Sequence, residues 1–132
     1  MVIQRWQTLL LLLAIVFTAI SLATPIGYVG EVAICATSNL TCFIIGIATA
    51  ILLFVDMFLF RNLGLQIKVA NMSILLQAVV TISSIVMGCL EDGFSMSCYN
   101  APLMLASIVC TWFAVRLMKK DRKLLADANR LR

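Results

Sequence analysis

Apolar residues run along this chain in four long blocks, Leu9 to Ala23, Leu40 to Phe60, Val69 to Leu90 and Ala101 to Met118, separated by short polar stretches. A helix needs roughly 20 apolar residues to cross the hydrocarbon core of a bilayer. The outer two blocks approach that length once Trp6, Gln7 and Thr8 extend the first and Arg116 snorkels to the interface from the last. The pattern predicts an all-α membrane protein, a four-transmembrane-helix bundle built from two helical hairpins, with spans over residues 7–23, 40–60, 69–90 and 101–118. Pro25 ends the first helix because it cannot donate the next backbone hydrogen bond, and Pro102 suits the first turn of the last one. Residues 24–39, 61–68 and 91–100 are read as connections.

The tail over 119–132 has a different pattern. If it stays helical, Leu117, Leu124, Leu125, Ala128 and Leu131 share one side while Lys and Arg cover much of the rest. A basic amphipathic C-terminal helix of this kind is expected to contact an anionic inner leaflet.

Composition sharpens this picture. The 132 residues are 63% hydrophobic and 12% charged, more apolar surface than a soluble domain of this size hides, so residues 1–132 are read as a single integral membrane domain. All ten cations fall in three places: Arg5 before span one, Arg61 and Lys68 between spans two and three, and Arg116, Lys119, Lys120, Arg122, Lys123, Arg130 and Arg132 at and after the end of span four. The other two connections carry only Glu31, Glu91 and Asp92. Cations near short loops are retained on the cytoplasmic side, which predicts both termini in the cytoplasm. The net charge of +4 is accordingly assigned to the membrane surface and not to nucleic acid. An alternative reading takes Arg5, the first apolar block and Ser21-Leu22-Ala23 as a cleaved signal peptide, but the block is long for that purpose and only one cation precedes it.

Candidate chemistry is sparse. The chain has no histidine, which removes the commonest general base and metal ligand. Cys35, Cys42, Cys89 and Cys98 lie in or beside the outer connections and are candidate disulfide partners, with local and crossed pairings both open; the alternative is free thiols packing at helix ends. Cys110 lies mid-span and is read as packing. Spacings of seven and nine residues do not resemble the close cysteine pairs of a zinc site, and no C-x-x-C is present for a thiol oxidoreductase. No metal or cofactor is expected. Asn39-Leu40-Thr41 and Asn71-Met72-Ser73 match a glycosylation pattern that is common by chance.

Asp56 is the one acid inside a span. Intramembrane ionisable groups are candidates for proton or substrate coupling. Asp56, however, lies only about 7 Å along the helix from Arg61, so a structural ion pair with Arg61, Arg116 or Lys68 is the favoured expectation. Gln77, deeper in span three, is read as an interhelical hydrogen-bonding residue. Small residues at four-residue spacing, Ala19 and Ala23, Gly46 and Ala50, Ser84 and Gly88, and Ala106, Cys110 and Ala114, predict close helix packing.

Ile3-Gln4-Arg5-Trp6-Gln7-Thr8 opens the chain, and Ala114-Val115-Arg116, Lys119-Lys120-Asp121, Lys123-Leu124 and Ala128-Asn129-Arg130-Leu131-Arg132 close it. In these end motifs and in its layout the chain resembles a bacterial family of small four-span membrane proteins catalogued as a domain of unknown function. The family tends to carry an acid just before its final R-L-R, where this chain has Asn129. The resemblance implies a bacterial cytoplasmic membrane and four helices, and supplies no activity and no site residues. The expected function is a non-enzymatic scaffold, assembly factor or regulatory partner in the inner membrane. It would use Lys119, Lys120, Arg122, Lys123, Arg130 and Arg132 as a cytoplasmic surface, with a membrane protein or a second copy as partner. The alternative is a small transporter or channel subunit acting as an oligomer.

Overall fold

The structure, a computed structural model, describes residues 2–35, 39–90, 92–96 and 99–131. It is mostly helical: α1 (Val2–Ala23), α2 (Leu40–Phe58), α3 (Leu63–Leu90) and α4 (Asn100–Arg130), with three short strands, β1 (Pro25–Val29), β2 (Val32–Cys35) and β3 (Phe94–Met96). All four helices are long and apolar enough to cross a membrane. Consecutive helices pack against one another, and α1 closes the ring against α4. The most extensive packing is between these first and last helices, not within either hairpin.

The buried face of each helix repeats at alternating steps of four and three, as in Gln7, Leu11, Ala14, Thr18 and Ser21 on α1 and Cys42, Gly46, Thr49, Leu53 and Asp56 on α2. That period is the one at which helices pack with a small left-handed crossing. The polarity is inverted relative to a water-soluble bundle. Leu9, Val16 and Ile20 on α1, Ile44, Ile51 and Phe54 on α2, and Leu75, Val79 and Ile82 on α3 are exposed, while Ser, Thr, Gln and Asn fill much of the inside. Such a surface is compatible with lipid as the solvent, since lipid tails reward neither side for apolarity and close packing decides what faces inward. A small apolar core, including Leu11, Ala14, Leu53, Ile67, Ala70 and Met118, lies toward the end of the bundle where α1 begins, and Cys110 packs against it.

Two features depart from the expected layout, and a third agrees with the expected helical tail. First, the connections after α1 and before α4 are not bare loops: β1 pairs antiparallel with β2 and with β3, giving a three-stranded sheet in the order β2-β1-β3 that ties them together. β1 and β2 are joined by Gly30-Glu31, with Gly30 at φ 62°, the positive φ that a two-residue hairpin turn asks of its first central residue. Ile26 and Gly27 of β1 are buried at the mouth of the bundle. Second, α3 starts at Leu63, six residues before the expected Val69, because Leu59 to Asn62 suffice for the turn. There Leu59 N–H donates to Asp56 O at 3.1 Å and Asn62 N–H to Leu59 O at 3.0 Å. Third, α4 continues unbroken from the fourth span through the tail to Arg130, since no Gly or Pro follows Pro102.

Candidate functional site

Polar side chains meet inside the bundle in three layers. The outermost is built on Asn100, the first residue of α4, whose Nδ2 donates to Ser21 O at 2.8 Å, Thr24 O at 3.3 Å and Thr24 Oγ1 at 3.3 Å, while Ser21 Oγ donates to Asn100 Oδ1 at 3.2 Å. Asn100 thereby caps carbonyls at the C-terminal end of α1 from a neighbouring helix.

The middle layer centres on Ser107, which is fully buried. Its hydroxyl donates to Ala14 O at 3.0 Å, lies 2.8 Å from Thr18 Oγ1, and accepts from Gln77 Nε2 at 3.0 Å. Thr18 Oγ1 also donates to Ala14 O at 2.8 Å, and Thr111 Oγ1 donates to Ser107 O at 2.9 Å. Gln77 thus links α3 to α4 as the interhelical residue expected of it. A packing gap beside this layer, too tight to admit a water molecule, is lined by Thr18, Gly46, Thr49, Gln77, Val80 and Met104. Every hydroxyl in the layer is engaged with a carbonyl or another hydroxyl, and no basic group stands beside Ser107 to activate it, so the arrangement joins helices and does not form a nucleophile.

The innermost layer differs from the other two. Gln7 on α1, Asp56 on α2 and Gln66 on α3 are all buried, with Asp56 completely so. Gln66 Nε2 donates to the backbone carbonyl of Asp56 at 3.1 Å. Both carboxylate oxygens of Asp56, the amide oxygen of Gln66 and the amide nitrogen of Gln7 have no hydrogen-bond partner.

The expected ion pair is not formed. Asp56 lies on the α2 face that points into the bundle, in step with Thr49 and Leu53, whereas Arg61 sits exposed in the turn after the helix and Lys68 is exposed on α3. Arg116 is exposed as well, its guanidinium stacked 3.9 Å from the centre of the Trp112 ring. Among the described residues no cation pairs with Asp56.

The cysteines are not brought together as disulfides. Cys35, half-buried at the end of β2, Cys42, buried in the first turn of α2, and Cys89, exposed near the end of α3, are free thiols, so the Cys35–Cys42 bridge is absent here; Cys98 lies outside the described residues. Cys42 has the inward position of a small packing residue in step with Gly46. No three His, Cys, Asp or Glu side chains cluster as metal ligands among the described residues. Asn39 caps α2, its side chain accepting from Thr41 N–H at 3.2 Å, and Asn71 lies within α3 and not at its end. Lys119, Lys120, Arg122, Lys123 and Arg130 are all exposed on the last turns of α4, together with Leu124 and Leu125; Arg132 lies outside the described residues.

Sequence reasoning missed Gln7, Thr18, Ser21, Gln66, Asn100, Ser107 and Thr111. A signal for them exists in the four-and-three spacing of small and polar residues, Ala14, Thr18 and Ser21 or Ser107, Thr111 and Ala114. The four-residue stripe Ala19 and Ala23, singled out instead, turns outward, while Gly46, Ser84 and Gly88 lie inside as expected.

No curated protein and no solved structure matches the chain significantly. Among known families, residues 3–131 match the one described as Domain of unknown function (DUF4293). A match over nearly the whole length places the four helices, the outer sheet and the basic end of α4 inside one family unit, and this chain belongs to the DUF4293 family.

Proposed function

We propose that this chain is an integral protein of a bacterial cytoplasmic membrane with both termini in the cytoplasm. Its work is non-enzymatic: it holds or assembles a partner protein at the inner face. The observation that carries this reading is the end of α4, where the helix runs about 18 Å beyond Met118 with its side chains exposed. Lys119, Lys120, Arg122, Lys123 and Arg130 make this rod strongly cationic, while Leu124 and Leu125 add apolar contact area. The distribution of all ten cations supports the orientation. The first cations of the rod are near enough to anionic headgroups to gain about 1 kcal/mol each, and the later ones are carried away from the bilayer toward a protein partner.

Replacing Lys119, Lys120, Arg122 and Lys123 together by Gln is expected to leave the thermal midpoint of the purified protein unchanged, because none of these side chains is buried. Recovery of cross-linked partners from native membranes is expected to fall at least tenfold. Unchanged recovery sinks the scaffold reading. A second reading, a small transporter or channel subunit acting as an oligomer, draws on the burial of Asp56. It predicts that Asp56→Asn abolishes flux in proteoliposomes, and fails if the variant transports normally.

A further inference from the structure

The polar layer of Gln7, Asp56 and Gln66 presents a charge problem that the described side chains do not solve. Asp56 is fully buried, and Oδ1 and Oδ2 both lack a partner. Its position deepens the problem. Asp56 stands in the last turn of α2, the negative end of that helix's dipole, a turn that contains no basic residue. A carboxylate there is opposed both by desolvation and by the helix it belongs to. The cations within a few turns, Arg61, Lys68 and Arg116, are exposed, and the Arg116 guanidinium stacks on Trp112.

A second group converges on the same place. Gln66 is 3% exposed, and the hydrogen bond from its Nε2 to Asp56 O fixes its amide beside that residue, leaving Oε1 buried and without a donor. Gln7, on α1, lies at the same end of the bundle: it precedes Leu11 by one turn, Asp56 follows Leu53 by three residues, and Leu11 and Leu53 share one core cluster. Its amide nitrogen is also buried without an acceptor.

We propose that the inner end of the bundle binds one small hard monovalent cation of the sodium class between the carboxylate of Asp56 and the amide oxygen of Gln66. Three unengaged oxygens from two helices are the ligand type such an ion takes. A single carboxylate balances one positive charge, whereas a divalent ion would leave an excess charge buried in a low-dielectric interior. A water molecule would satisfy the hydrogen bonds and leave the charge. The ion therefore locks the ends of α2 and α3 together, with Gln7 from α1 available to hydrogen-bond the outer side of the carboxylate. The site is independent of the basic rod of α4, so the four-fold tail variant keeps it.

The test uses the full chain purified in detergent. Equilibrium binding of 22Na+ is expected to be saturable, and the thermal midpoint in sodium chloride is expected to lie about 3–6 °C above that in choline chloride at equal ionic strength. Asp56→Asn, nearly identical in shape, is expected to abolish both effects while keeping its helical circular dichroism. Gln66→Leu is expected to weaken sodium binding at least tenfold. Absence of saturable 22Na+ binding to the wild-type chain overturns the proposal, as would be the case if a proton alone neutralised the carboxyl. Retention of binding in a folded Asp56→Asn chain overturns it too. Should Asp56→Asn not fold, the wild-type binding measurement decides alone.

Discussion

Ser107→Leu is expected to destabilise the bundle by about 3–5 kcal/mol, whereas Ser107→Ala costs only about 1 kcal/mol. The comparison isolates volume from hydrogen bonding. Ser107 is fully buried between α1 and α4, the helix pair with the most extensive packing, with its Oγ 3.0 Å from Ala14 O and 2.8 Å from Thr18 Oγ1. Alanine removes the hydroxyl and leaves the helices where they are. Thr18 retains Ala14 O, and Gln77 Nε2 retains its 3.5 Å contact with Thr111 Oγ1, so little is stranded. Leucine puts three carbon atoms in place of the hydroxyl oxygen, against the backbone of α1, which cannot move without separating the Asn100 layer and the apolar core on either side. Reversible unfolding in mixed micelles of mild detergent and dodecyl sulfate measures both variants. Equal losses for the two would show that the hydroxyl, and not the close approach, holds α1 to α4.

The second large effect is expected at Gly46, on the α2 face turned toward α1. A Cβ built there would overlap the terminal methyl groups of Leu22. These methyls are the free end of a half-buried side chain at the outer end of α1, so Leu22 can rotate away from one added carbon. Gly46→Ala is therefore expected to cost under about 1 kcal/mol, while Gly46→Leu, too large for Leu22 to yield to, costs about 3 kcal/mol. Because the clash has a single identified partner, Leu22→Ala in the Gly46→Leu background is expected to recover half or more of that loss. Simple additivity of the two substitutions in the same micelle titration would mean that α2 meets α1 elsewhere.

Both predictions follow from one property of the architecture. The helices approach closely where their side chains are small and polar, and the long apolar residues are displaced to the outside. Interhelical hydrogen bonds in such a setting contribute about 0.6 kcal/mol each on average, so the polar layers act mainly by aligning helices and less by adding stability. The outer sheet adds a constraint that the helices lack. By pairing β1 with both β2 and β3 it holds together the connection after α1 and the connection before α4, close to where Asn100 joins the same two helices. The opposite end has no such strap among the described residues, and most of the buried side-chain polar atoms without a partner, those of Gln7, Asp56 and Gln66, lie there, the other being Gln77 Oε1 in the middle layer.

The four long apolar helices, their approximate limits and the helical character of the tail were legible in the sequence, because apolar length and the absence of helix breakers are local properties that add along the chain. The family membership was legible in the sequence as well, and the match covers residues 3–131. What faces inward was not. In water the buried side of a helix is written in its hydrophobic stripe, but against lipid a leucine gains nothing by turning in, so the inner faces of α1 and α4 are recognised only by small size and spacing. The three-stranded sheet escaped because its strands are three to five residues long and β1 pairs with β3 across more than 60 residues of chain, an interaction that no local pattern encodes. Proximity in sequence likewise misdirected the reading of Asp56. Arg61 is five positions away, yet the rotation of α2 aims Asp56 into the bundle while the turn after Phe58 points Arg61 outward, and only the packed helices decide between those directions.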